Sequence, residues 1–507
     1  MSHPPTSLPP VGPGAPTPPI ALPDPATASP RDAAAQVEVD DTTIERLRSA
    51  CSNVTVDPIE RSEASRDWWP LAMIWALDNQ LPGQAAVVAR PSSDEEVAAV
   101  LAICNEAQVP VTATAGRSGV CGASVPAHGG VVIDLTGLTG IRDVDDTSLV
   151  ADIAAGTFGD HLEAELRSAH GLTLGHWPQS VALSTVGGWV ACRSAGQLSN
   201  RYGKIEDLVV GLDVVLASGQ RISTGGAPRA AAGPDLTQLF VGSEGTLGIV
   251  TSARLRLRPA PEIEGRAAFG FPSWESGMDT CRRILRRGAD PAVLRLYDTI
   301  ESDRSYKTGD VTNVLLVLDE GDPVTVDANM AIVETECGDA ERLDDGLVEQ
   351  WMGHRNEVSA LEGLVTNGFV VDTMEIAAPW SRLDDIYRET LDALRSIDGI
   401  RSASAHQSHA YPDGACLYFT FAGRPPDGDR DALYQRCWDR GTAAVLDNGG
   451  ALSHHHGVGW NRSRFVPGAL GDAHGTLVAV KAALDPHGIL NPGKLGLPDP
   501  FGPVGWP

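Results

Sequence analysis

Three adjacent histidines, His454, His455 and His456, are the residues of this sequence best suited to acid–base chemistry. Each imidazole can accept, donate or carry a proton near neutral pH. Glycines on both sides of the tripeptide allow the backbone to turn sharply or to pass close to a ligand. In an extended segment His454 and His456 would share one face, because successive side chains alternate. The tripeptide therefore predicts a catalytic or substrate-binding site, with a metal site and a structural role as alternatives.

Three segments rich in glycine and hydroxyl residues follow or precede predicted strands. We name them the first glycine loop (residues 112–122), the second glycine loop (residues 178–189) and the third glycine loop (residues 242–251). Glycines permit close backbone approach to a ligand, and successive N–H groups can bind an anion. None of the three matches the Gly-x-Gly-x-x-Gly pattern or the Walker phosphate loop. The loops predict a cofactor-binding surface that is not a Rossmann site.

The composition limits the classes of partner. With 39 Lys plus Arg against 66 Asp plus Glu, the net charge of -27 repels nucleic acid and anionic membrane surfaces. An anionic small substrate would need a local cluster of Arg, His or backbone N–H groups. The eight cysteines are scattered, which is typical of reduced thiols in a cytoplasmic protein. No apolar run reaches the roughly 18–20 residues of a transmembrane helix, and peripheral membrane contact stays open.

The order of patterns predicts five segments in the 507-residue chain. Residues 1–38 form a proline-rich tail with few large apolar residues, which predicts disorder. Residues 39–84 are a helical segment, 85–262 and 263–450 are two α+β domains, and 451–507 close the chain around the active site. Strands are predicted over residues 109–114, 131–135, 149–153, 209–216, 248–256, 293–296, 314–318 and 415–421. Helices are predicted over residues 41–51, 158–170, 276–287, 381–397 and 473–484, and another begins at a Ser or Asp cap within residues 91–96 and runs to about residue 107.

Four motifs resemble a known family. They are Ser184-Thr185-Val186-Gly187-Gly188-Trp189, Tyr202-Gly203-Lys204-Ile205-Glu206-Asp207-Leu208-Val209, Gly242-Ser243-Glu244-Gly245-Thr246-Leu247-Gly248 and Asp485-Pro486-His487-Gly488-Ile489-Leu490-Asn491-Pro492-Gly493-Lys494. Together with the first glycine loop they resemble FAD-binding proteins of the vanillyl-alcohol-oxidase type, over about residues 65–495. The resemblance implies an α+β fold. An FAD-binding PCMH-type domain of two subdomains would fill residues 85–262, and a substrate cap of the FAD-linked oxidase C-terminal type would fill residues 263–450.

The same resemblance implies which residues contact the cofactor. They are Thr112, Ala113, Thr114, Ala115, Gly116, Arg117, Ser118, Gln179, Ser180, Ser184, Thr185, Gly187, Gly188, Arg193, Ser194, Glu244, Gly245, Thr246, Leu247, Gly248, Ile249 and Val250. Many relatives attach FAD through a histidine of the first glycine loop. This chain has Arg117 and Ser118 there and no histidine, so noncovalent FAD is expected.

Within this family the residues around the triple histidine resemble the alkylglycerone-phosphate synthases. Those enzymes exchange the acyl chain of an acyl-dihydroxyacetone phosphate for a fatty alcohol. The resemblance implies that Tyr418 is the acid–base residue and that His454, His455 and His456 carry out proton transfers. It also implies that Arg295 helps to maintain the structure of the site. The resemblance therefore implies a small-molecule or lipid-like substrate. It leaves open whether the protein forms a homodimer.

One position departs from the synthase pattern. Where the synthases carry a phosphate-binding arginine, this chain has His406, a titratable group in place of a permanent cation. The alternative is an FAD-linked oxidase or dehydrogenase of a D-2-hydroxy acid. Tyr418 replaces the second metal histidine of metal-using members of that group, so no metal is expected. A noncatalytic flavin-binding or scaffold protein is the third hypothesis, and it gives no reason for Arg, Tyr and His to occur together.

Overall fold

The computed structural model of this chain describes residues 2–6, 8, 11–12, 18–309, 311–357 and 360–505. These residues form three β-sheets of four, five and eight strands, two short strand pairs, and helices that cover the sheets. This arrangement is the α+β class that the sequence predicts. None of the described helices combines the length and the apolar composition needed to cross a bilayer.

The first sheet positions the first glycine loop. Its strands, in spatial order, are Val54–Thr55, Val87–Ala89, Val131–Asp134 and Val111–Thr114, of which the last three are parallel. The parallel strands are apolar and almost wholly buried, as expected where both faces are covered. Helix Asp94–Ala107 packs on them, and it begins at Ser93, whose side chain accepts the N–H of Glu96. The helix predicted to begin within residues 91–96 and to run to about residue 107 is confirmed.

The second sheet is antiparallel, and one of its strands, Ile249–Arg256, continues directly from the third glycine loop. Its strands, in spatial order, are Arg221–Gly225, Val209–Val215, Ile249–Arg256, Val150–Ala154 and Ile141–Asp145. The helix predicted over residues 158–170 is α-helical only over Gly159–Glu165. It continues as a π-helical turn, Leu166–His170, and ends at Gly171 in the left-handed conformation.

The third sheet, which we name the cap sheet, carries the polar residues of the candidate site. Its strands, in spatial order, are Ser2–His3, Ile263–Phe271, Asn313–Gly321, Val293–Tyr297, Ile400–Ala410, Gly414–Gly423 and Val370–Pro379, and Glu341–Leu343 also pairs with Ile263–Phe271. Tyr297 lies opposite His406, His406 opposite Tyr418, and Tyr418 opposite Glu375. Directly opposed residues project from the same face, so these four side chains form one row across four strands.

The helices connect and cover the sheets. The α-helices are Asp41–Ala50, Pro58–Ala64, Pro70–Ala76, Asp94–Ala107, Gly159–Glu165, Val186–Cys192, Ser199–Tyr202, Ile205–Leu208, Leu236–Phe240, Trp274–Arg286, Thr299–Tyr306, Pro323–Glu336, Gly346–His354, Ala360–Thr366, Trp380–Arg395, Arg430–Asp447, Gly459–Arg462, Val466–Leu470 and Ala473–Leu484. Single 3₁₀ turns occur at Ala33–Ala35, Leu135–Gly137 and Ser463–Phe465. The short pairs are Leu172–Thr173 with Arg258–Pro259 and Ser29–Pro30 with Gln80–Leu81.

The end of the chain returns to the first sheet. Leu490 forms a parallel bridge with Val111. Lys481 is buried, and its ammonium group donates to the carboxylate of Asp485 and to the carbonyls of Thr246 and Leu490 at 2.6–2.8 Å. The last helix is therefore tied to the third glycine loop and to the strand that leads into the first.

The proline-rich tail differs from its sequence-based expectation in the residues that are described. Ser2–His3 pairs with Ile263–Phe271, and Ile20 and Leu22 are buried in the main apolar cluster of the cap. The carbonyl of Ile20 also accepts a hydrogen bond from Arg66 at 2.5 Å. Overall composition predicted disorder, but the few apolar residues of this segment are placed where they enter the core.

Candidate active site

The three glycine loops and the cap sheet enclose one cavity of about 800 Å³. This volume is within the range of small-molecule and cofactor sites. Of the residues expected to contact the cofactor, the cavity is lined by Ala113, Thr114, Ala115, Gly116, Arg117, Ser118, Gln179, Ser180, Ser184, Thr185, Gly187, Gly188, Ser194, Glu244, Gly245, Gly248, Ile249 and Val250. The structure thus brings most of that set together.

Four residues of the expected set do not line the cavity. Thr112 contacts Asn491 inside the fold, at 3.4 Å between the two side-chain oxygens, and Thr246 donates its hydroxyl to the carbonyl of Ser243. Leu247 is buried in the apolar core of the second sheet. Arg193 ends helix Val186–Cys192 in the left-handed conformation, which turns its half-exposed side chain toward Glu206. A sequence motif identifies a cofactor loop, but it does not show which residues of the loop face the cavity and which face the protein core.

At the cap end of the cavity, His406 is hydrogen-bonded to a guanidinium on one side and to a carboxylate on the other. The Arg295 guanidinium donates to Nε2 of His406 at 2.6 Å and to the hydroxyl of Tyr297 at 2.7 Å. Nδ1 of His406 then donates to the carboxylate of Glu301 at 2.7 Å. Burial and the nearby Arg295 lower the pKa of His406 to about 4, so the ring is neutral with its proton on Nδ1.

Glu301 completes this chain of contacts. Burial alone would raise the pKa of its carboxyl, but the contacts with His406, Arg304 and Ser404 together outweigh burial and lower the pKa to about 2. The carboxylate also accepts the hydroxyl of Ser404 at 3.0 Å. Arg295, His406 and Glu301 therefore form a fixed network that lines the cavity.

The triple histidine is positioned by the buried carboxylate of Glu375. This carboxylate accepts the backbone N–H groups of His454, His455 and His456, the last two at 3.4 and 2.9 Å. Arg462 pairs with it at 2.9 Å, and neither side chain is exposed to solvent. Burial would raise the pKa of Glu375, but the charge of Arg462 keeps it below its usual range. The histidine backbone is thereby fixed against the edge of the cap sheet.

His455 and His456 line the cavity, whereas His454 does not. The segment is irregular rather than extended, so the alternation expected from the sequence does not apply. Instead, three consecutive N–H groups converge on one carboxylate, and the side chains radiate from that point. Two histidines share the pocket as expected, but the pair differs from the expected His454 and His456.

Tyr418 contacts His456 inside the cavity. Its hydroxyl lies 3.2 Å from Nε2 of His456 and 3.2 Å from the hydroxyl of Thr373. Burial raises the pKa of Tyr418 and lowers the pKa of His456 to about 4, so both groups are neutral at neutral pH. Nδ1 of His456 lies 3.6 Å from the carboxylate of Glu375. The phenol and the imidazole in contact are suited to move a proton, whereas Nδ1 of His456 has no hydrogen-bond partner among the described residues.

His454 belongs to a second network, which reaches the cavity through His409 and His455. Its Nε2 is 3.0 Å from the hydroxyl of Tyr411, and its Nδ1 is 2.9 Å from Nδ1 of His455. His409 stacks on His454 and contacts the hydroxyl of Ser199 at 2.7 Å through Nδ1. Nitrogens of His409, His454 and His455 lie within 4.8 Å of one another, so these three are the described group able to hold a metal ion.

Several cavity residues were not found from the sequence. Tyr297, Glu301, Thr373 and His409 line the cavity, and Glu375 positions the triple histidine. Glu375 had a usable signal: with Asp372 it is one of two carboxylates in the mostly apolar strand Val370–Pro379, and buried charges are rare unless they are paired. The contact between Glu301 and His406 spans 105 positions and has no local signal.

Comparison with known proteins identifies two matching family profiles. Residues 85–225 match the FAD binding domain, and residues 260–495 match the C-terminal domain of FAD linked oxidases. The glycolate oxidase subunit GlcD of Bacillus subtilis (strain 168) is 31% identical over 425 residues, which cover 81% of this chain and 88% of that protein.

Two further matches involve the same kind of enzyme. The alkyldihydroxyacetonephosphate synthase of Caenorhabditis elegans is 28% identical over 463 residues, which cover 82% of this chain and 77% of that protein. A solved structure of an alkyldihydroxyacetonephosphate synthase superimposes with a TM-score of 0.76 at 23% identity, and covers 91% of this chain and 87% of that one. At this identity the structural likeness establishes the fold, which agrees with the fold class expected from the sequence.

The residues of the cavity fit FAD, the cofactor that the family matches identify. Cavity residues with a buried polar atom that has no hydrogen-bond partner among the described residues include Thr114 (Oγ1), Arg117 (Nε) and Gln197 (Oε1). Buried polar atoms normally have a partner, so these atoms are available to the polar groups of a bound dinucleotide. At Gly245, a Cβ would meet only the Cβ of Ala113, at 3.8 Å, so the backbone there faces open space.

We expect Gly245→Trp to fold without binding FAD. The added ring would extend into the cavity, because nothing else lies near this position. Gly171→Trp is the matched control. Gly171 also has a positive φ (64°, against 73° at Gly245), and a Cβ there would meet no atom within 4 Å, but this residue lies outside the cavity. The measurement is the ratio of flavin to protein absorbance after purification. A Gly245→Trp protein with stoichiometric FAD would contradict the placement of the cofactor.

Proposed function

Because the chain belongs to the FAD-linked oxidase family and is an FAD-dependent enzyme, we propose that it catalyses an exchange of the alkyldihydroxyacetonephosphate-synthase type. In this exchange an alcohol replaces the acyl group of a dihydroxyacetone phosphate. FAD supplies, when bound, the electron-accepting ring with which the substrate reacts. The observation that carries the proposal is the contact between Tyr418 and His456 in the cavity that the glycine loops line.

Tyr418 is the proposed acid–base residue. Its raised pKa keeps the phenol protonated at neutral pH, so it cannot take a substrate proton unless its own proton leaves. Nε2 of His456, at 3.2 Å, receives that proton, because the low pKa of His456 leaves the ring unprotonated. If both transfers occur in one step, no full phenolate charge forms in the buried site. His455 lines the same wall and is the proposed partner for substrate oxygen atoms.

A second candidate function is oxidation of a D-2-hydroxy acid. The state of His406 removes one argument for a phosphate substrate, because both ring nitrogens of this residue are already bonded, to Arg295 and to Glu301. His406 therefore offers no free donor to a substrate phosphate. The identity with the glycolate oxidase subunit is also slightly higher than the identity with the synthase. In this reaction Tyr418 and His456 would remove the hydroxyl proton of the acid.

Anaerobic mixing separates the two functions. With the holoenzyme, a D-2-hydroxy acid that is oxidised bleaches the visible flavin absorbance, because electrons remain on the cofactor. The proposed exchange instead converts an acyl-dihydroxyacetone phosphate and a fatty alcohol into products, measured by mass spectrometry, with no lasting bleaching. Bleaching by a hydroxy acid together with no exchange would replace the first proposal by the second.

We further propose that FAD is held without a covalent bond. The first glycine loop has no histidine, and Arg117 and Ser118 line the cavity where relatives attach the flavin. Acid denaturation of the holoenzyme is expected to release all of the yellow chromophore into the supernatant. Colour that remains with the precipitated chain would show a covalent link.

We expect Tyr418→Phe to keep its fold and FAD but to lose roughly 10²- to 10⁴-fold in turnover. The substitution removes only the hydroxyl that contacts His456 and Thr373, and the ring still packs. Tyr411→Phe is the matched control, because its hydroxyl contacts His454 outside the cavity wall. Steady-state kinetics on the true substrate test the role. If Tyr418→Phe retains more than about a third of the activity, Tyr418 is a packing residue and the proton-transfer scheme is wrong.

A further inference from the structure

A second pocket lies at the end of two neighbouring strands of the cap sheet, and we name it the arginine pocket. It is lined by residues 395–401, which join helix Trp380–Arg395 to strand Ile400–Ala410, and by residues 424–426, which follow strand Gly414–Gly423. Its volume of about 460 Å³ is within the range of small-molecule sites. None of its lining residues lines the active-site cavity, so the two pockets are separate.

The two walls of the arginine pocket are joined by backbone contacts that require glycine. The N–H of Arg424 donates to the carbonyl of Gly399 at 2.9 Å. Gly399 has a φ of 97°, and a Cβ there would lie 2.6 Å from the carbonyl oxygen of Arg424. A Cβ at Gly423 would lie 2.5 Å from the carbonyl oxygen of Gly399. A larger residue at either position would separate the walls, so the fold itself fixes the shape of the pocket.

Two of the three arginines that line this pocket are held by contacts with neighbouring strands and loops. Arg395 donates Nε and Nη2 to the carbonyl of Ala403, at 3.2 and 2.8 Å. Arg424 donates Nη2 to the carbonyl of Asn367 at 2.7 Å, and its guanidinium carbon lies 4.3 Å from the centroid of the Phe369 ring. Within the described part of the chain, the other N–H groups of both guanidiniums have no hydrogen-bond partner, so they are available to a ligand.

Arg401, the third arginine, is positioned by a β-bulge. In the pairing of the two strands, Ile400 lies opposite Gly423 and Ser402 lies opposite Ala422, so Arg401 is the extra residue. A bulge bends its strand and redirects the side chain of the extra residue. Arg401 is exposed, and its guanidinium makes no hydrogen bond or ion pair with any residue that the structure describes. All five of its N–H groups are therefore available.

The positive charge of the arginine pocket is not neutralised by the protein. Among the described residues, none of its three arginines has a carboxylate within ion-pair distance. Asp398 is the one acidic lining residue, so three guanidiniums against one carboxylate leave the lining with two positive charges. Arg440 adds a further cation beside it, because its guanidinium donates to the hydroxyl of Ser396 at 3.0 Å. This cluster occurs in a chain whose net charge is -27.

We propose that the arginine pocket is a second binding site of this protein, which takes the diphosphate or triphosphate group of a soluble small molecule. A guanidinium binds phosphate oxygens through paired hydrogen bonds, and three guanidiniums in one pocket match a group with several anionic oxygens. An anionic bilayer fits less well, because the net charge of -27 repels an extended anionic surface, whereas a concave pocket admits a single group. The site is independent of the proposed function.

Isothermal titration calorimetry of the holoenzyme with pyrophosphate, in the absence of divalent cations, tests the proposal. We expect pyrophosphate to bind, inorganic phosphate to bind more weakly, and acetate to give no measurable binding. Arg401→Gln should weaken pyrophosphate binding roughly tenfold, because charge-assisted hydrogen bonds are lost. The double variant Arg401→Gln with Arg424→Gln should abolish it. The fold should persist in the single variant, since the Arg401 guanidinium has no partner among the described residues, and the visible flavin spectrum verifies that FAD is retained.

Arg382→Gln is the matched control. Arg382 lies on helix Trp380–Arg395 at the end far from the pocket, is exposed, and has no ion pair among the described residues. Its replacement should change pyrophosphate affinity less than about twofold. Neither Arg401 nor Arg424 lines the active-site cavity, so a loss confined to variants at these two positions assigns the bound pyrophosphate to the arginine pocket.

Three results would overturn the proposal. The first is wild-type holoenzyme that does not bind pyrophosphate. The second is a folded double variant that binds pyrophosphate as tightly as the wild type. The third is a wild-type protein that ignores pyrophosphate but floats with phosphatidic acid vesicles in a density gradient, with flotation lost in the double variant. That outcome would identify a membrane surface as the ligand. None of these measurements depends on turnover, so failure of the proposed exchange reaction leaves them interpretable.

Discussion

Two buried carboxylates from different domains hold one short stretch of backbone, and the candidate site depends on this. Glu375 of the cap sheet accepts the N–H groups of residues 454–456, and Glu244 of the third glycine loop accepts those of Val458 and Gly459 at 2.6–3.1 Å. Isolated buried carboxylates are costly, and these are stabilised by several charge-assisted hydrogen bonds each. The triple histidine is consequently fixed relative to both the cofactor loops and Tyr418.

The close approach of these parts requires glycine at one position. Gly459 has a φ of 55°, and a Cβ there would lie 2.1 Å from the carbonyl oxygen of Cys121 in the first glycine loop. Any larger residue would force the histidine segment away from the cofactor loops. The glycines that the sequence suggested for ligand contact therefore also serve contacts between segments of the protein. Gly187 is similar, because a Cβ there would lie 2.7 Å from the Cβ of Ala155.

Local features were predictable from the sequence wherever a local cause exists. The helix over residues 94–107 has a serine cap and an apolar face, and the glycine loops are rich in glycine and hydroxyl residues. The partners of the functional residues were not predictable, because they come from strand register. His406 meets Tyr418 and Tyr297 only through the order of strands in the cap sheet. Arg193 shows a second reason why prediction from the sequence failed. Its neighbour Ser194 lines the cavity, but the left-handed conformation of Arg193 turns its own side chain away.

The site separates the groups that move protons from the groups that hold charge. Burial keeps His455 and His456 neutral, and a neutral imidazole can both accept and donate a proton. The permanent charges are Arg295 and Glu301, which line the cavity and are bonded to His406, and the buried pair formed by Glu375 and Arg462. Because each of those charges is already bonded, a change of substrate need not disturb them. The His406 position illustrates this separation: its ring nitrogens are bonded to Arg295 and Glu301, and neither of these hydrogen bonds involves Tyr418 or His456, so the contact between Tyr418 and His456 does not depend on them.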